Sequence, residues 1–255
     1  MLQKLFLVLG WYSWRSAQPT LSSRVHGKLP CRRYLRKHMD LHDYQSKSLG
    51  YFDNPRMDIV PLIPEGATKV LEIGCGTGVT LVHLKELGLA QEIHGMEWVK
   101  LEEAHPEVDK WFWGDAVSAL ERLEDGAYDA ILCLDFLEHL ADPWSFLAAV
   151  KSKLSPSGCL IASLPNLRRV KVLWNLAVRG RFDYAEEGIM DRTHLRFFTR
   201  KSALELMNSG GLEVEMWRYS PFDAGSKGQI LNALTLGLFR DFFTIQYLIR
   251  SIQKK

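Results

Sequence analysis

From about residue 40 onward, short apolar runs alternate with helix-patterned stretches. That order predicts a parallel sheet with helices on both faces. The first strand falls at Lys69–Ile73, followed by a Gly-rich turn and a helix to about Leu87, with Gly88 as its stop. Strands follow at about Glu92–Met96, Trp111–Trp113, Tyr128–Asp135 and Cys159–Leu164. The run at 128–135 is apolar nearly throughout, as a central strand buried on both faces requires. Asp142 and Pro143 read as the N-cap and first position of a helix to about Leu154, which Ser155–Gly158 ends. Thr199 caps a further helix that ends at Gly210 and Gly211, Leu212–Tyr219 is a sixth strand, and Phe242–Ile252 is a final one. The expectation is an α/β fold with a mostly parallel sheet of about seven strands.

The 33 residues from Asn166 to Phe198 break this alternation. An insertion of that length at the carboxyl end of a strand reads as a functional cap rather than a connector.

Charge divides the chain. Its 255 residues carry a net +2, yet residues 1–38 hold eight Lys or Arg and no Asp or Glu. That basic N-terminal extension reads as an organelle leader, a signal-like segment or an upstream extension, and is expected to lie outside the core. The domain proper is then 39–255, with the cap at about 166–198. No apolar run approaches the roughly 20 residues that span a bilayer. Cys31, Cys75, Cys133 and Cys159 are scattered with no CxxC, which argues against a zinc site or a disulfide framework. A cytoplasmic location is expected.

The most informative stretch is Val70–Gly78, with Glu72 two residues before the first of three alternating glycines, Gly74, Gly76 and Gly78. It joins a strand to a helix, where open α/β sheets place ligands. The glycines let a ligand approach the backbone, and the helix start offers N–H groups to an anion. A dinucleotide site wants GxGxxG, but Val79 stands where its third glycine belongs. Glu97 closes the second predicted strand and Asp115 follows the third. The E-x-G-x-G-x-G spacing with these acids resembles the class I S-adenosylmethionine-dependent methyltransferases. The resemblance implies a Rossmann-like methyltransferase fold over about residues 50–220. It also implies S-adenosylmethionine held by Glu72, Gly74, Gly76, Gly78, Glu97, Trp98, Asp115 and Asp135, with Glu97 on the ribose and Asp115 on the adenine amino group.

Asp135-Phe-Leu-Glu-His139 closes the fourth strand. It is similar to the D/E-x-x-E-H branch, which includes ubiquinone-type O-methyltransferases, RNA 2′-O-methyltransferases and glycan-associated bacterial enzymes. Three readings stand side by side. His139 and His194, with Glu138, act directly on an acceptor hydroxyl, since imidazoles titrate near neutrality. Alternatively, Asp135, Glu138, His139 and His194 hold a divalent metal, although relatives with that metal carry Glu at the first position. In the third reading the motif is structural, with His139 bonded to backbone at a helix start.

Residues 166–201 hold nine Lys or Arg against Asp183, Glu186, Glu187 and Asp191, with Trp174, Phe182 and Tyr184 interleaved. Arg forks suit phosphate or carboxylate, so an anionic acceptor is one reading and a solvated face the other. The expected function is methyl transfer to oxygen on a small or glycan-type acceptor, such as a sugar or glycan precursor, a phenol or a nucleotide end. Duplex nucleic acid is not indicated. The rival is a non-catalytic module of the same fold that binds cofactor or a partner.

Overall fold

The computed structural model describes residues 55–222 and 226–254. The expectation for residues 1–38 lies outside them. Among the described residues a single sheet has the order β3-β2-β1-β4-β5-β7-β6. Its strands are β1 (Lys69–Ile73), β2 (Glu92–Glu97), β3 (Lys110–Trp113), β4 (Tyr128–Leu134), β5 (Leu154–Pro165), β6 (Leu212–Tyr219) and β7 (Gln246–Gln253). The pairs from β3 through β5 are parallel, whereas β7 runs antiparallel to both β5 and β6. Strand β7 thus inserts between β5 and the edge, and the carboxyl ends of β1, β2, β4, β5 and β6 share one edge with the start of β7.

Strand periodicity splits the interior into two layers. Leu71, Ile131 and Leu160 face one layer with Ile73, Cys133 and Ala162, where α2 (Ala116–Leu120), α3 (Pro143–Lys151) and α5 (Arg200–Met207) pack. Val70, Ala130, Leu132 and Ile161 face the other, against α1 (Val79–Glu86) and a 3-10 turn at Met57–Leu62. Each fully buried Leu or Ile contributes about 1.5–3 kcal/mol, so the sheet centre is the most strongly held part of the molecule. Cys75, Cys133 and Cys159 are free thiols in these cores.

Three boundaries differ from expectation. Helix α3 ends at Lys151, and Ser155–Gly158, expected as a turn, belongs to β5. There Tyr128 pairs with Leu154 and Ala130 with Cys159, so extra β5 residues bulge opposite β4. Gly158 sits at the bulge, where a Cβ would lie 2.5 Å from the Tyr128 carbonyl. The last strand starts at Gln246, not Phe242, because Arg240–Phe243 forms a short helix, α7. Asp241 in that turn is bonded by Arg168 and by the Tyr247 hydroxyl, which folds the segment back before the strand begins. Inside the cap, Val170–Ala177 is helix α4, and Lys227–Leu234, between β6 and α7, is α6.

Candidate active site

The turn after β1 is held by its own backbone. Gly74 N–H donates to the Met96 carbonyl (2.8 Å), and Gly78 N–H to the Cys75 carbonyl (2.9 Å). All three glycines have φ between 55° and 84°. At two of them a side chain would also collide. A Cβ at Gly74 would lie 2.9 Å from Phe136, and one at Gly78 would lie 2.9 Å from Val108 and 3.1 Å from Trp111. Left-handed backbone and lack of room together require glycine. Gly78 is also the N-cap of α1 and supplies no side-chain cap.

The acids cluster around this turn. Glu97 ends β2 fully inside the protein, where Oε2 accepts from Gly76 N–H (2.9 Å) and Oε1 from Trp98 N–H (2.6 Å). Glu72 is 4% exposed, and its Oε2 is buried without a hydrogen-bond partner. Burial pushes the Glu72 carboxyl up to about 8, Arg56 opposes this, and the Glu97 charge adds to it. Asp115 is exposed and caps α2, accepting from Ser118 N–H at 2.9 Å. Trp98 is half-buried.

Asp135 sits just past β4 with φ 52°, a left-handed conformation unusual for a residue with a Cβ. Its N–H donates to Ser163 Oγ (2.9 Å), and its carboxylate accepts from Arg56 and from Gln246. Arg56 also grips Asp58 and Ser163, and donates a second bond to Gln246. Arg56, Ser163 and Gln246 went unrecognised in the sequence. They come from before the first strand, from β5 and from β7, and no local pattern marks them.

Glu138 and His139 lie on a 3-10 turn, Leu137–His139. The Glu138 carbonyl accepts from the N–H groups of Leu195 (2.9 Å) and Arg196 (3.0 Å), which pins the end of the cap against the end of β4. His139 Nδ1 lies 3.2 Å from the Thr193 carbonyl, and His194 Nδ1 lies 3.1 Å from the Ile189 carbonyl. A carbonyl only accepts, so each ring carries a proton on Nδ1, and the neutral form of each has its lone pair on Nε2. The rings meet edge to face with centroids 4.7 Å apart. Glu138 is fully buried, neither carboxyl oxygen has a partner, and Oε1 is 3.9 Å from His194 Nε2. Burial, reinforced by the Asp135 charge, holds its carboxyl well above the usual range.

Glu138, His139 and His194 each offer a ligand atom within 4.8 Å of the others. Asp135, the fourth residue of the expected metal set, is not among them. Its carboxylate is taken by Arg56 and Gln246.

Residues 32–216 match a family model described as a methyltransferase domain. The chain belongs to the class I S-adenosylmethionine-dependent methyltransferases. It is 30% identical over 195 residues to a ubiquinone biosynthesis O-methyltransferase of Xanthomonas axonopodis pv. citri, covering 69% of this chain and 79% of that one. In fold the methyltransferase is similar to a SAM-dependent methyltransferase from Archaeoglobus fulgidus, with TM-score 0.55, 21% identity, and 80% and 94% of the two chains covered. It is also similar to a Burkholderia thailandensis 1,6-didemethyltoxoflavin-N1-methyltransferase, solved with that substrate and S-adenosylhomocysteine (TM-score 0.54, 14% identity, 84% of each chain). The non-catalytic rival gives way to a methyltransferase, and the Rossmann-like fold is the one expected.

Proposed function

We propose that this methyltransferase moves a methyl group from S-adenosylmethionine to a hydroxyl oxygen of a small acceptor, with His139 and His194 taking the hydroxyl proton. The observation that carries this reading is the paired Nδ1–carbonyl contacts, which give both buried-edge imidazoles a basic Nε2 beside the end of β4. The relatives named O-methyltransferase support oxygen as the acceptor atom.

The residues at the glycine turn fit the cofactor on their own chemistry. Glu72 Oε2 is a buried acceptor without a partner, and Gly74 and Gly78 leave spaces that side chains would fill. Glu72, Gly74, Gly76, Gly78 and Glu97, with Trp98, Asp115 and Asp135 nearby, would hold it. Bound there, S-adenosylmethionine would supply a methyl activated by positively charged sulfur, with sulfur as the leaving group that would keep the S–C electron pair. The chain's own task is to orient the acceptor and receive one proton. That proton leaves the hydroxyl for an imidazole Nε2 as the O–C bond forms. The Glu138 carboxyl, whose Oε1 lies 3.9 Å from His194 Nε2, is the acidic group nearest that imidazole.

A second reading rests on the same three side chains. The orphaned Glu138 oxygens and the two Nε2 atoms would suit a divalent cation, which would lower the acceptor hydroxyl's pKa. Asp135 would not be a ligand in either case.

The acceptor is a phenol or a sugar-type hydroxyl. Arg169, Lys171 and Arg179 form no ion pair among the described residues and favour an anionic sugar or glycan precursor. The decisive experiment incubates the protein with methyl-labelled S-adenosylmethionine and two acceptor panels, one phenolic and one of glycan precursors. The reading expects label in an O-methyl ether. Label on nitrogen, sulfur or carbon would overturn it.

A further inference from the structure

The cap contains a helix with no fully buried side chain. Helix α4 has no buried residue, although only Lys171 and Asn175 of its eight positions are polar. Those two fall at i and i+4 and Arg179 continues the row, while Val170, Trp174 and Val178 form an apolar row beside it. Helix α6 also has no buried residue. The turn after it carries Leu236 and Leu238, which are 90% and 82% exposed. Among the described residues, every exposed large apolar side chain except Met57, Leu87 and Trp144 falls within 170–184 or 230–245.

These two segments share one end of the molecule. Chain 166 onward leaves the end of β5, whose Pro165 pairs with Gln246 at the start of β7. Chain 220–245 joins the end of β6 to that same start, with Tyr219 paired to Tyr247. They are also bonded together. Asn166 Nδ2 donates to the carbonyls of Asp241 (2.6 Å) and Thr244 (3.1 Å), and the Arg168 guanidinium pairs with Asp241 and lies 4.7 Å over the Phe242 ring. This is the carboxyl edge of the sheet, where Glu97, Asp135 and the two histidines lie.

Charge selects the occupant. Residues 166–184 contain one acid, Asp183, which pairs with Arg181, and in 226–245 the sole acid is Asp241, which is buried and paired. Arg169, Lys171 and Arg179 border the apolar row of α4, and Lys227 opens α6. Self-docking through a two-fold would set these cations against their own copies. The chain's own residues 1–38 are basic and free of acid, so they lack the opposite charge too. An anionic bilayer supplies apolar depth and negative headgroups together, with Trp at the boundary and long Arg and Lys stems reaching the phosphates. No helix among the described residues is long and apolar enough to cross a membrane, so the contact is one of lying on the surface.

We infer that α4 and the α6–α7 segment form one docking face for an anionic lipid bilayer, which sets the carboxyl edge of the sheet, and the acceptor entrance with it, against the membrane. Only the location of the entrance rests on the proposed function. The docking face stands on exposure and charge.

The test is co-sedimentation of the full chain with phosphatidylcholine vesicles, with and without phosphatidylglycerol. Binding is expected on the anionic vesicles, weaker on the neutral ones, and reduced by salt. The doubly substituted Trp174→Ser, Leu236→Ser protein should lose roughly tenfold in partitioning. Both side chains are exposed, so its melting temperature and its affinity for S-adenosylhomocysteine should stay as they were. Arg169→Glu with Lys171→Glu should lose anionic binding selectively. Three results would overturn the inference: no vesicle binding, undiminished binding by both variants, or a dimer in light scattering that the Trp174→Ser, Leu236→Ser protein no longer forms. Failure of methyl transfer alone would leave vesicle binding intact and count against the catalytic reading only.

Discussion

His139 and His194 stand 55 positions apart in the chain, yet their rings meet edge to face at 4.7 Å between centroids. Each is oriented by a backbone carbonyl of the cap, so the cap both contributes a histidine and sets the tautomer of the other. Replacing either by Ala should lower turnover about 10²–10⁴-fold if it acts as general base. Affinity for S-adenosylhomocysteine should hardly change. A direct base survives chelator, whereas a bound divalent ion makes activity chelator-sensitive and restorable with magnesium or manganese. Full activity in the double variant would remove both readings.

Glu97→Ala should weaken S-adenosylhomocysteine binding roughly tenfold to a hundredfold, from charge-assisted bonds worth about 1.5–3 kcal/mol. Because Glu97 also accepts from Gly76 N–H, the variant should lose some stability, which denaturant unfolding measures separately. NAD should not bind wild type in the same calorimeter. Unchanged affinity in Glu97→Ala would refute the ribose role.

Arg56 holds Asp135, Asp58, Ser163 and Gln246 at once. Arg56→Ala leaves the Asp135 carboxylate without its cation while its left-handed backbone strain remains, so a loss of about 1–3 kcal/mol is expected. Lys at this position should rescue only part, because an ammonium cannot fork to several partners. Urea titrations of the three proteins test the order wild type, Lys, Ala.

Glu72 makes stability depend on pH with a definite sign. Its carboxyl titrates near 8 in the folded protein against an ordinary 4.5. Between those values the folded state keeps a proton that the unfolded chain has released. The contribution is therefore complete below about 4.5 and is lost as pH rises through about 8. The steepest slope is about 1.4 kcal/mol per pH unit. Glu72→Gln should flatten that part of the stability profile between pH 5 and pH 8, as linkage requires. An unaltered slope would show that Glu72 ionises normally.

The strands and the glycine turn were legible along the chain because their information is local. Short apolar runs set β1, β2, β4 and β6 almost to the residue, and E-x-G-x-G-x-G marked a turn whose glycines have left-handed backbone with no room for Cβ at Gly74 and Gly78. The histidine pair was named from its motif, but its contact and tautomers depend on the cap folding back onto the end of β4. Tertiary structure alone decided the fate of Asp135. Sequence ranked it with the metal candidates, whereas Arg56, Ser163 and Gln246, drawn from positions up to 190 residues apart, claim its polar groups. Tertiary structure also revealed that α4 and α6 hold no fully buried residue. Periodicity reports which face of a helix is apolar, and only the packed fold shows whether anything covers that face.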